Sequence, residues 1–479
     1  MKLSENLLQN IKVLKILLGD SDDIIFFDFK IGDLNATAVY VDSITDKSML
    51  GLEVLAPLKK LAEPITVGKA AKSITSANVK VSDNTSDAAE EILYGNTVIF
   101  IDGKKRALSV DLKKFESRAI AEAPTGFSIR GPRNGFVETI KINLSLIRRY
   151  VKSEQLKIEN SQIGKYTKTS VSLIYISDLV NKELVEKVRK KLANISIDGI
   201  PDSSYISKFL NEKKYSLFKQ VGSTERPDVF IERLLEGRVG ILVDGSPFAL
   251  TLPYLLIEDF QSSEDYYISR YRANGARLVR IVALLIAILL PSIYVAAQLF
   301  HLHLLPLNFL LTIISSIKGI PLSPSMEMFF IMLIFEILNE TSVRMPKYVG
   351  MALGVVGALV LGETVVNAGI VSTPAVLIMA LSGICIYTVP EIVETTSLLR
   401  LLFLLLAGSV GVYGIILISA FMLCYLTTLD NYGVPYMAPY SPLIQNDLQD
   451  GLLMQNVLDM KKRPESIGSP NVYRRGKNK

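Results

Sequence analysis

Gly95–Val110 reads GNTVIFIDGKKRALSV, and Gly237–Leu252 reads GRVGILVDGSPFALTL. Laid over one another at an offset of 142, they match at Asp102-Gly103 with Asp244-Gly245 and at Ala107-Leu108 with Ala249-Leu250. Asp-Gly between two apolar runs is a hairpin signal, because glycine enters φ > 0 without a Cβ penalty. Each stretch therefore predicts a strand, a tight turn and a second strand. Upstream, VYVDSITDKSM (Val39–Met49) parallels IYISDLVNKEL (Ile174–Leu184) at an offset of 135, so the copies differ by a seven-residue insertion. Repetition of this kind marks one supersecondary unit used twice. The spacing predicts two related α/β subdomains, about 20–125 and 160–262, with helices near 46–62 and 181–194.

Between the copies lies EAPTGFSIRGPRNGFVETIKINLSLIRRY, carrying Pro124, Pro132, Gly126, Gly131 and Gly135 ahead of a helix-like run at Leu144–Tyr150. In its loop, Arg130 and Arg133 either clamp a carboxylate or phosphate or pair with acidic surface between the subdomains. Asp102 and Asp244 read as turn residues bonded to their own backbone rather than as catalytic acids. The segment MKLSENLLQNIKVLKILLGDSDD predicts a short amphipathic helix. Lys12 and Lys15 interrupt its apolar spacing, so no signal-peptide core forms and the domain behind it is expected in the cytoplasm.

Charge divides the chain of 479 residues. Residues 1–277 hold 40 Lys/Arg and 36 Asp/Glu, whereas 278–429 hold only 5 and 6, and the last 50 residues hold 7 and 5. The expected order is subdomain 1 with its linker (1–150), subdomain 2 (151–277), an all-α multi-pass membrane domain (278–429) and a cytoplasmic tail (430–479). Forty bases against 36 acids leave no basic stripe for nucleic acid. Cys385 and Cys424 both sit in apolar runs and read as buried free thiols. His301 and His303 have no acidic or thiol neighbour suggesting a metal site. With no phosphate loop and no catalytic dyad, neither an enzyme nor a cofactor is expected.

A helix of about 20 residues crosses the hydrocarbon core, and four spans are expected at about 278–300, 348–370, 373–390 and 401–429. Pro291 is expected to kink the first, which membrane helices tolerate. Basic residues precede the first span (Arg270, Arg272, Arg277, Arg280) and follow the last (Lys461, Lys462, Arg463, Arg474, Arg475), so both termini are expected on the cytoplasmic side. Residues 305–340 are expected to be re-entrant or interfacial. Glu327, Glu336 and Glu340 in that stretch either line a water-filled path or sit in headgroup water on an amphipathic helix.

Within 348–370, Gly350, Gly354, Ala358 and Gly362 form a small-residue row that lets helix backbones approach closely. A second row, Ala352, Val356, Leu359, Glu363 and Asn367, lies about 100° around the helix. Packed against copies of itself through the glycine row, the chain would turn this second row toward an axis, with apolar constrictions at Val356 and Leu359 and an acidic ring at Glu363. In the alternative, a monomeric bundle, Glu363 pairs with Arg344, Lys347 or water.

RGPRNGFVET, the run from Asn143 to Ile176, EGRVGILVDGSPFALTLP (Glu236–Pro253), EDYY (Glu264–Tyr267), FEILNETSVRMP (Phe335–Pro346), LGETVVNAGIVS (Leu361–Ser372) and YGVPYMAPYSPL (Tyr432–Leu443) together resemble the A subunit of the GerA-type spore germinant receptors. The resemblance covers nearly the whole chain. It implies the inner membrane of the spore, a transporter-like B subunit, a lipoprotein C subunit, and self-association into a nutrient-gated cation channel that triggers germination. The chain departs from the family pattern at Met332, Asn339, Glu363 and Asn367, where Glu, Arg, Gln and Glu are usual. One acid per subunit is kept, shifted by a turn. The alternative function is a non-conducting subunit that relays a partner's ligand state.

Overall fold

The computed structural model describes residues 2–19, 21–76, 78–114, 130–304, 306–344 and 360–474. The first sheet is built from β1 (Ile24–Ile31), β2 (Leu34–Val41), β3 (Val79–Ser82), β4 (Thr97–Ile101) and β5 (Ala107–Val110) in the order β1-β2-β4-β5-β3. The second uses β6 (Leu156–Ile163), β7 (Thr169–Ile176), β8 (Gly222–Thr224), β9 (Val239–Val243) and β10 (Ala249–Leu252) in the order β6-β7-β9-β10-β8. The two orders are the same, and every neighbouring pair is antiparallel. The duplication read from Gly95 and Gly237 is thus a duplication of topology.

Each sheet is covered on both faces, which explains why its inner strands read as continuous apolar runs. Val98 and Phe100 of β4 pack with α1 (Leu7–Leu18) and α2 (Thr85–Leu93), while Ile99 and Ile101 face the run Lys47–Met49, Leu50–Leu55, Ala56–Lys59. In the second unit α3 (Ile140–Tyr150) and α5 (Pro227–Leu235) cover one face, and α4 (Lys182–Ala193) covers the other. Gly240 lets α5 approach: a Cβ there would lie 2.2 Å from the Phe230 ring.

The two turn aspartates, expected to bond their own backbone, reach distant helix ends instead. Asp102 Oδ1 accepts the Leu7 N–H at 3.1 Å, and Asp244 Oδ1 accepts the Ile140 N–H at 3.0 Å. Each carboxylate therefore neutralises the open N–H end of a helix. The glycine beside each donates to the segment leading into that helix, Gly103 to Glu5 O and Gly245 to Glu138 O. Asn10 and Asn143 repeat the symmetry, each bonded both ways to the backbone ahead of its helix, at Ser4 and Val137. The repeat thus begins with a helix that the subdomain boundaries at 20 and 160 omitted, and the boundary expected at 150 falls inside the second unit. Arg148 of α3 then ties the units together through Asp23.

The helical part contains α6 (Arg270–Phe300), α7 (Leu307–Ile317), α8 (Pro324–Arg344), α9 (Thr373–Ile386), α10 (Val393–Val410) and α11 (Val412–Thr427). By length and composition two stretches among the described residues could cross a membrane, Arg270–Phe300 and Pro390–Val410. Helix α6 starts eight residues before the expected 278, since nothing in Arg270–Arg277 breaks it, and it runs on through Pro291. The expected single span 401–429 is instead two helices. At Gly411 (φ 70, ψ −143) the chain reverses, and α10 and α11 form a hairpin whose open end returns to the second unit, with Thr395 Oγ1 donating to Leu217 O and Lys213 Nζ to Thr428 O. Helix α9 stops at Ile386, short of the expected 390, because Pro390 opens a separate turn.

Of residues 305–340, expected to be re-entrant or interfacial, the part in α8 (Pro324–Arg344) runs the depth of the bundle. Ser325 lies against Gly408 near the hairpin tip, and Asn339 accepts a hydrogen bond from the Tyr387 hydroxyl at the opposite end. Helix α7, 11 residues or about 16 Å, is too short to do the same. Most of the expected span 348–370 lies outside the described residues, which resume at Val360.

Of the segment 430–479, expected as a tail, the described residues 430–474 fold back onto the neck between the second unit and α6. Asn431 bonds Gln220 O and Tyr254 O, Asp450 receives Tyr266 and Arg277, and Arg474 pairs with Glu236.

Candidate functional site

The carboxylates of the bundle are positioned by unlike partners. Glu327 of α8 is 1% exposed, and its carboxylate accepts the Ser372 N–H at the start of α9, where a helix end favours negative charge. The Tyr294 hydroxyl and Gln298 side chain of α6 are buried there, with no hydrogen bond of good geometry among the described residues. Glu336 accepts Arg400 Nη2 at 2.8 Å and Ser397 Oγ at 3.0 Å. Glu340 pairs along its own helix with Arg344, so that arginine is not the partner of Glu363. These pairings explain how a segment with three glutamates enters the bundle: its inner charges are met.

Sequence reasoning passed over Arg400, 3% exposed and bonded also to Ser382 Oγ. The signal was present: it is the only basic residue between Lys347 and Lys461, and an ionisable group in an apolar run calls for a named partner. Glu336, Asn339, Tyr387 and Arg400 border a largely apolar cavity of about 470 Å³ that Gly362 also lines.

Glu363 and Asn367 stand on the outer surface, and around Gly362 an added Cβ would meet nothing within 4 Å. Ala352, Val356, Leu359, Gly350, Gly354 and Ala358 lie outside the described residues. Arg130 and Arg133 are exposed on their loop. The loop is held by others: Arg226 donates to Pro132 O and pairs with Asp228, and Gly131 (φ 110) sits so close to Tyr267 that a Cβ would be 2.7 Å from its ring. Cys385 is buried as expected, but Cys424 is exposed on α11. No group of metal-ligating side chains occurs among the described residues.

The densest electrostatic feature is the neck, whose residues the sequence had left unassigned or read only as flanking charge. Arg238 binds Glu236, Glu258 and Pro253 O, while Arg233 binds Glu236, Glu258 and Gln261. At the start of α6, Arg277 and Arg280 share Asp265, and Arg277 also holds Asp450 at 2.9 Å. Two of the four arginines read as orienting charges are therefore spent in buried pairs. Burial works against the charge on Glu236, yet Arg238, Arg233 and Arg474 outweigh it and hold its pKa down at about 2. Burial pushes Asp259 and Glu232 up to about 7.

The signs of these shifts predict a pH profile. Asp259 and Glu232 keep protons when folded that the unfolded chain releases, so stability falls as pH rises from about 4 to about 7 and levels off above. Glu236 acts oppositely, its contribution being lost as pH drops from about 4.5 toward about 2. Unfolding midpoints of the full chain are expected to fall between pH 5 and pH 7, and Asp259→Asn is expected to flatten that slope.

Two antiparallel α/β units of one topology, joined through buried ion pairs of the neck to an apolar helical bundle, define a two-part protein. The sequence profile described as Bacillus/Clostridium GerA spore germination protein matches residues 12–466, and the chain belongs to that family. Spore germination protein KA of Bacillus subtilis is 35% identical over 99% of this chain and 89% of its own length. A protein of the same organism described as the uncharacterized membrane protein YfkQ is 35% identical over 98% of this chain and 93% of its own. The crystal structure of the N-terminal domain of the A subunit of the Bacillus megaterium spore germinant receptor GerK3 is 32% identical, covering 54% of this chain and 98% of its own, with a TM-score of 0.42.

Proposed function

We propose that the chain is the A subunit of a spore germinant receptor, embedded as a multi-pass protein in the spore inner membrane with both termini cytoplasmic, and that copies of it assemble around an axis into a nutrient-gated cation channel. The carrying observation is the contrast among the bundle's acids: Glu327, Glu336 and Glu340 are engaged within the chain, while Glu363 and Asn367 face outward. An outward acid beside an open glycine is what a neighbouring copy would cover and an axis would use. The bundle also exposes Leu278, Val282, Leu285, Leu377, Ile384, Leu417 and Phe421, a surface suited to lipid. Buried polar groups at Tyr294 and Gln298 that find no partner among the described residues suit a hydrated interior. The transporter-like B and lipoprotein C subunits belong to this reading, which needs no catalytic step and no cofactor.

A second reading, a non-conducting relay, is favoured by the neck, where Arg277 joins Asp265 and Asp450 across 173 residues of chain. Reconstituted full-length protein separates the two. On the channel reading Glu363→Gln lowers cation conductance severalfold, Val356→Ala or Leu359→Ala makes the channel leak, and cysteines along 352–367 label from water. Absence of ion flux in wild type and leaky variants alike would leave the relay.

A further inference from the structure

A cavity of about 370 Å³ lies where three parts of the chain meet: α5 of the second unit, the neck turns Leu256–Phe260 and Ser263–Tyr266, and the Thr388–Glu391 link into α10. Its charges do not balance. The arginines on its wall are already taken, Arg226 by Asp228, Arg233 by Glu236 and Glu258, and Arg280 by Asp265. Lys219, beside it, is taken by Glu391 and lies over the Tyr254 ring at 5.3 Å. That leaves two acids on the wall, Glu232 and Asp259, for which no ion pair occurs among the described residues. Asp259 is 4% exposed. Its Oδ1 accepts the Tyr254 hydroxyl at 2.5 Å, but its Oδ2 is buried with no donor among the described residues.

A buried carboxylate oxygen without a donor is costly unless something supplies one. We propose that this neck cavity binds a small organic cation through a primary ammonium group, which donates to Asp259 Oδ2 and is balanced by Glu232. The absence of any cluster of three metal-ligating side chains among the described residues argues for an ammonium over a divalent metal. Its volume lies within the range of small-molecule sites, with room for a short carbon chain, and Val229 and Pro390 offer apolar wall to it. Burial raises the pKa of both acids, as expected of carboxyls awaiting a counter-charge. Because the wall is shared by the second unit, the neck and the bundle, an occupant bridges all three. This assignment is independent of ion conduction.

The test is calorimetric titration and thermal unfolding of purified full-length chain at pH 8 with n-butylammonium chloride, alongside potassium chloride and tetramethylammonium chloride. Saturable binding of butylammonium is expected, with no effect from tetramethylammonium, which has no N–H to donate. Asp259→Asn is expected to weaken binding at least tenfold while leaving the ligand-free protein as stable as wild type or more so, since it removes an uncompensated buried charge. A purely structural aspartate would instead lose stability with its Tyr254 hydrogen bond. Glu232→Gln, at a half-buried wall position, is expected to weaken binding without unfolding the chain. No saturable binding in wild type, equal binding in both variants, or stabilisation by potassium equal to that by butylammonium would overturn the assignment.

Discussion

Asp23→Ala is expected to destabilise the chain by about 3–5 kcal/mol, the cost of leaving a buried ion without its partner. Arg148 has a wholly buried side chain that donates through Nε to Asp23 Oδ2 at 2.7 Å, through Nη2 to Asp23 Oδ1 at 2.8 Å, Ser21 Oγ and Leu156 O, and through Nη1 to Ser153 O. Ser21 in turn accepts the Ile158 N–H, and Asp22 exchanges bonds with Ile158 and Asn160, so the same few residues dock the first unit onto β6 of the second. Removing the carboxylate strands a guanidinium between the two units. Removing both charges does not: Asp23→Leu with Arg148→Leu is expected to recover most of the loss, because an apolar pair needs no hydrogen bonds. Guanidinium chloride midpoints of the two singles and the double measure the coupling. Additive losses would show that the pair contributes nothing beyond its separate packing.

The ease with which the two units were read, and the difficulty with the rest, have a common physical origin. Strands of period two and an Asp-Gly turn are local patterns, so Val98–Phe100 against Ile99–Ile101 and the turns at Gly103 and Gly245 could be read within a dozen residues. The carboxylates at those turns act at a distance, Asp102 on Leu7 and Asp244 on Ile140, 95 and 104 residues away. Only the parallel spacing of Glu5 with Glu138 and Asn10 with Asn143 could have revealed them. The same holds in the bundle. The sequence leaves the glutamates of α8 two placements, a water-filled path or headgroup water, because their partners, Ser372 and Arg400, are 45 and 64 residues further on. In the neck the tail had to be folded back before Asp450 could meet Arg277. Residue type marked these positions as unusual, and topology alone paired them.

Gly411→Val is expected to have the second large effect, on topology rather than on energy alone. Its φ of 70 with ψ of −143 belongs to backbone space that residues with a Cβ avoid, and an added Cβ would lie 2.9 Å from the Phe300 ring at the end of α6. Nothing else in the run from Val393 to Thr427 stops a helix. The turn carries no proline and no charged residue, and the hairpin also relies on Gly414, where a Cβ would meet Leu406 O at 2.5 Å. Strain at one position costs about 1–3 kcal/mol, and a continuous helix through 411 relieves it. Such a helix would extend about 50 Å and carry Thr428 away from Lys213, Asn431 from Gln220 and Asp450 from Arg277. The variant is therefore expected to release the folded-back segment from the neck. In vesicles, a cysteine at Ser466 should be protected from impermeant reagents on one side in the native chain and reactive from the opposite side in the variant. Gly411→Ala should show the same change in a smaller fraction of molecules. Unchanged sidedness in both would mean that contacts in the neck, with Asn431 and Asp450 at their centre, hold the hairpin closed against the backbone strain.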